Sequence, residues 1–119
     1  MTDHRYILVI ADSSNEMRIA LDYACARSKK TGRKIIIATF VEPIDVLTTQ
    51  GVSEIMRNEA REEAESRLKE AASFVKNKIG ELPALSLREG ETISELKKLI
   101  DEEKNINVLV LAAKSDENS

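Results

Sequence analysis

Few residues in this sequence carry reactive chemistry, and their spacing narrows what they can do. Histidine occurs once, at His4, and cysteine once, at Cys25. With a single imidazole and a single thiol, no CxxC redox pair, zinc ribbon or intramolecular disulfide can form, and no nucleophile finds a second histidine. His4 has no cysteine or paired carboxylate nearby in sequence, so neither metal binding nor proton transfer is expected there. Cys25 falls inside a helical run with nothing to lower its pKa and reads as a small buried residue. The turn Asp12-Ser13-Ser14-Asn15 contains no glycine. It is therefore no GxxxxGK[ST] loop, no GxGxxG turn and no SGGxDS loop. Leu87-Arg88 stands where a receiver domain would carry its phosphorylatable aspartate. No catalytic residue and no metal ligand is assigned, and the chain is expected not to be an enzyme.

The remaining polar candidates sit at the ends of apolar runs, and those runs define the elements that must hold them. Four are short and lack polar alternation, as strands buried on both faces do: residues 6–11, 34–41, 84–87 and 108–112. Three segments with helical periodicity lie between them. Residues 16–30 place Met17, Leu21, Ala24 and Ser28 on one face; Ser13 and Glu16 have capping-box spacing, and Gly32 supplies the stop. Residues 53–79 carry a long apolar stripe from Ile55 and Met56 to Val75 and Ile79. Arg61–Glu65, Glu63–Arg67 and Glu65–Lys69 stand at i,i+4 on its other faces. At ~1.5 Å per residue this helix spans roughly 40 Å, so its first turns should overhang the sheet. Residues 93–103 bury Ile93, Leu96, Leu99 and Ile100, with Thr92 or Ser94 as cap and Gly90 in the turn before it.

The order β-α-β-α-β-α-β implies an α/β three-layer sandwich with a parallel sheet. Right-handed crossovers restrict the topologies to a few, and the arrangement expected is 3-2-1-4, with the first strand central. Ligands of such sheets bind beyond the carboxyl ends of the strands where the order reverses. That point lies between the first and fourth strands, followed by Asp12-Ser13-Ser14 and Ala112-Ala113-Lys114-Ser115. The connection at 42–52 is the one long loop, and such loops tend to be functional or mobile.

Composition excludes other classes. The 119 residues suit one domain and one modest core, 42% being hydrophobic and 33% charged. A formal charge of −3 and 3% aromatics leave neither a basic field nor stacking platforms for nucleic acid. No stretch reaches transmembrane length and no signal peptide is present, so a cytoplasmic protein without membrane partners is expected.

The residues also carry a family resemblance. Ile7-Leu8-Val9-Ile10-Ala11-Asp12-Ser13-Ser14 is similar to the opening strand and turn of universal stress proteins, and Phe40-Val41-Glu42-Pro43 to their second-strand ending. The long charged second helix, Arg88-Glu89-Gly90 and Val108-Leu109-Val110-Leu111 complete a match over almost the whole chain. The resemblance implies a sheet of order 3-2-1-4-5, a dimer, and in one branch an ATP site. In that branch Asp12 would bond adenine or ribose and the Val41 backbone would contact adenine. Asp12 reads more simply as a turn and helix-entry residue, and Val41 as core. Ser13 would donate to phosphate or simply cap. Lys114 could approach a phosphate, but Asp116 and Glu117 beside it would repel one.

The sequence departs from that branch at its phosphate loop, G-x-x-G followed by a second glycine pair. Ala112 and Ser115 occupy the positions of the first two glycines, and Ser119 comes before the second pair and the fifth strand. The expectation is a non-catalytic protein of universal-stress type that acts through protein contacts, as a homo-oligomer joined along the fourth-strand edge. The alternative is a weak adenine-nucleotide module using the cleft between the first and fourth strands. No tightly held cofactor is expected, with ATP bound weakly or not at all.

Overall fold

A computed structural model describes residues 5–12, 15–42 and 50–111, with the side chains of 50–54 left aside. Seven elements follow one another: β1 (Tyr6–Ile10), α1 (Met17–Thr31), β2 (Lys34–Val41), α2 (Gln50–Ile79), β3 (Ala84–Glu89), α3 (Thr92–Glu102) and β4 (Ile106–Leu111). The strands form a four-stranded sheet of order β3-β2-β1-β4, and all three pairings are parallel. The chain steps from β1 to β2 to β3 in one direction, then returns across the sheet to β4. Crossovers of one hand must put α1 and α2 on one face and α3 on the other.

The two faces are filled differently. On the first, Ile7, Val9, Ile35, Ile37 and Val110 meet α1 and α2 through Leu21, Ala24, Leu68, Ala71 and Val75. On the second, Leu8, Ile36 and Ala38 meet only Leu99, with Ile10, Phe40, Leu96 and Ile106 partly buried around them. Small residues on α1 and α2, such as Ala20, Ala24 and Ala71, let both helices lie close to the branched side chains below.

The central strands show the continuous burial expected of them, but the edge strands do not. β4 alternates: Val108 and Val110 point into the first core, whereas Leu109 is 42% and Leu111 56% exposed. A bulge at Asn107, where pairing jumps from Tyr6↔Ile106 to Ile7↔Val108, sets that alternation. Ile93 and Ile100, expected in the core, are also exposed, since α3 turns only Leu99 and Leu96 onto the sheet. The overhang of α2 does occur: Ile55 and Met56 project at 59% and 46% exposure before Ala64 begins the buried stripe.

Helix entries differ from the simple capping expectation. Glu16 is the N-cap of α1 and makes no side-chain cap bond, and Ser13 lies outside the described residues. At α3 the cap is Glu91, not Thr92 or Ser94. Its carboxylate accepts from the amides of Ile93 (3.0 Å) and Ser94 (3.1 Å) and from the Ser94 hydroxyl (2.8 Å). Those bonds hold its pKa below the usual carboxylate value, the serine hydroxyl contributing most. Gly32 stops α1 in the left-handed region, its amide reaching the Ser28 carbonyl at 2.8 Å.

Candidate functional site

Beyond the carboxyl end of β1, α1 and α2 frame an open groove of about 1080 Å³. Its base is apolar, formed by Met17 and Leu21 of α1 with Ala71 and Phe74 of α2. Asp12, just past β1, stands at its strand end, and its walls carry Arg18 from α1 and Arg67 with four glutamates from α2.

One polar ladder ties the groove to the sheet. The Thr39 side chain points to the first face, 1% exposed, and its hydroxyl donates to the Ala11 carbonyl at 3.1 Å. Arg67 in turn donates to the Thr39 oxygen, also at 3.1 Å. The carbonyl that ends β1 and the hydroxyl beneath α2 are thereby both satisfied. This bond replaces the expected Glu63–Arg67 pair. Of the three spaced pairs on α2, Arg61–Glu65 forms, at 3.8 Å, and the other two do not. Arg61 also pairs with Glu89 across to β3.

Opposite, α3 is pinned at its β3 side. Arg88 bonds Glu102 at 2.5 Å and approaches Glu95 at 3.9 Å. The first of these lowers the Glu102 pKa and raises that of Arg88. The Glu42 carboxylate accepts from the hydroxyl of Thr92 at 2.8 Å and from its amide at 3.3 Å. Cys25 is buried in the first core, and desolvation chiefly pushes its thiol pKa up, away from the thiolate form.

The sequence profile of the universal stress protein family matches residues 4–118. The chain belongs to the universal stress protein family. Solved structures agree with that membership at the level of fold. The universal stress protein UspA from Lactobacillus plantarum superposes with a TM-score of 0.81 at 16% identity, over 98% of this chain and 83% of that one. A member from Burkholderia pseudomallei gives 0.78 at 21% identity, covering 95% and 84%. A universal stress protein described in complex with cAMP gives 0.57 at 19%, covering 92% and 76%. No curated protein sequence matches significantly.

Of the residues that family resemblance singles out, two are placed. Asp12 lies at the groove, half-buried. Val41 ends β2, 8% exposed, and its carbonyl accepts the Gly90 amide at 2.9 Å. Ser13, Ala112, Lys114 and Ser115 lie outside the described residues, as do residues 43–49 of the long connection. What family motifs did not signal is Arg67 and Thr39. A threonine in an otherwise apolar run, Ile35-Ile36-Ile37-Ala38-Thr39-Phe40-Val41, was the available clue, since a buried hydroxyl requires partners.

Proposed function

We propose that this universal stress protein is non-catalytic and works through protein contacts, with self-association along β4 as the first of them. The observation that carries the reading is the character of that strand. β4 pairs with β1 on one side only among the described residues, and Leu109 and Leu111 stand exposed on its outer face. An apolar edge with unpaired amides and carbonyls is a template for another strand, and a two-fold pairing of β4 with β4 of a second copy would close it. Sedimentation at tens of micromolar tests the reading, with a dimer expected. Leu111→Lys should dissociate it, since the change leaves the buried Val110 in place. A protein that sediments only as monomer would remove the self-association.

A second reading is weak adenine-nucleotide binding. It is favoured by the half-buried Asp12 at the strand ends and by a relative of the same fold described in complex with cAMP. Phosphate grip in such folds needs several converging backbone amides, which glycines permit, and Ala112 and Ser115 carry side chains instead. ATP and adenosine should therefore bind alike and weakly in calorimetry. A micromolar constant for ATP, lost in Asp12→Ala, would promote this reading over the first.

A further inference from the structure

On its helical walls the groove between α1 and α2 holds arginines and glutamates that form no ion pairs with one another among the described residues. Arg67 is fixed by Thr39, yet no ion pair joins it to a carboxylate among the described residues, although Glu63 and Glu70 flank it one helical turn away on either side. Arg18, on the facing helix, likewise has no ion-pair partner among them. Glu59, Glu62 and Glu63 line the same wall and are also without salt bridges among the described residues. Isolated surface arginines commonly lie unpaired. This one differs because a buried hydroxyl holds one edge of its guanidinium, leaving the remaining donors directed by that anchor. Beneath these charges lies the apolar base of Met17, Leu21 and Phe74.

Those three features select a ligand. A planar guanidinium with one edge anchored suits a carboxylate. The carboxylates outnumber the arginines, so a ligand bearing only negative charge is repelled, and a triphosphate most of all. A ligand that adds a cationic group near Glu63 while giving its anion to Arg67 meets neither penalty. The apolar base then favours a hydrocarbon body over a polar one, as ligand sites with few polar groups on apolar walls generally do.

We propose that this groove binds a zwitterionic small molecule of the apolar α-amino-acid class. Arg67 takes the carboxylate, the glutamates of α2 take the ammonium, and Met17, Leu21 and Phe74 take the side chain. This site is independent of the β4 edge, so its fate and that of self-association are separable.

Calorimetry on the full chain with L-leucine, isocaproate, isoamylamine and glycine tests each element of the claim. Leucine should bind, with isocaproate (no ammonium), isoamylamine (no carboxylate) and glycine (no hydrocarbon body) each weaker by about tenfold or more, as losing a charge-assisted bond or the apolar contact implies. Arg67→Lys, which keeps the charge and loses the fork, should weaken leucine by about tenfold. Because Arg67 also supports Thr39, Glu63→Gln on the exposed face of α2 is the second variant. It should weaken leucine and leave isocaproate bound no more weakly than before, because removing a carboxylate charge eases the repulsion of an anion. No heat from leucine at about 10 mM, isocaproate or isoamylamine binding as well as leucine, or leucine binding indifferent to both substitutions would each overturn the proposal.

Discussion

The two faces of the sheet use the same kinds of side chain and reach different ends. On the first, two helices cover Ile7, Val9 and Ile37 so completely that all three are at 0% exposure. On the second, α3 covers Leu8 and Ala38 at the middle and leaves Leu109, Leu111, Ile93 and Ile100 partly in water. An apolar residue's position between strand centre and strand edge, and the number of helices above it, decide its burial. Hydrophobicity alone does not. The first face is where stability is concentrated; the second retains surface that another molecule can use.

The sharpest way to break that contrast is to cut the first face. Leu68→Ala removes a side chain only 5% exposed beneath α2 and should cost about 2–5 kcal/mol in denaturant unfolding. A loss no larger than that of a surface substitution would mean that α2 is not the principal cover. Next comes the polar ladder within the same core. Thr39→Val keeps the shape but orphans the Ala11 carbonyl and frees Arg67, so a loss of about 1–3 kcal/mol is expected.

The second face should respond more to acid. Glu91 and Glu102 both have depressed pKa values in the fold, from the Ser94 bond and from Arg88 respectively. Groups of that kind stabilise fully above the ordinary carboxylate value of about 4.3 and lose that contribution as pH falls through their lower folded values. Stability of the doubly substituted Glu91→Gln, Glu102→Gln protein should therefore decline less steeply than that of the parent on titration from about pH 5 to about pH 3. Equal slopes would show that these contacts do not hold α3. The smallest effect belongs to the rim. Leu111→Lys, though it should dissolve the proposed β4 dimer, ought to shift the unfolding free energy of the monomer by within about 0.5 kcal/mol.

Much of this architecture was readable from residue order. The run Lys34–Val41 marks β2 end to end, and Gly32 and Gly80 mark the stops of two helices, because glycine in the left-handed region is a local requirement. Alternation implied a parallel sheet and crossover handedness narrowed its topologies to a few; the order β3-β2-β1-β4 among them is the one the family resemblance implied. The exposure of Ile93, Ile100 and Leu109 was not readable, since period and hydropathy report which face a residue shares and not whether anything covers that face. The candidate site was legible only in part. Asp12 announces itself at the end of a strand, whereas the Arg67–Thr39 bond joins positions 28 residues apart. The i,i+4 rule assigned Arg67 to Glu63 because it treats a helix as if it stood alone.

The register of β1 and β4 has a consequence for how the chain is assembled. Tyr6 pairs with Ile106, a hundred positions away, and β1 is the central strand on which β2 also depends. During synthesis β1, α1 and β2 emerge together and can condense at once, with α2 and β3 adding outward. One flank of β1 must nonetheless wait until β4, a hundred positions on, has been made. Bringing such distant segments together is entropically slow. A nascent chain therefore passes through a stage with Ile7, Leu8 and Val9 bare along one flank, and that stage is where chaperone protection against mispairing would matter most.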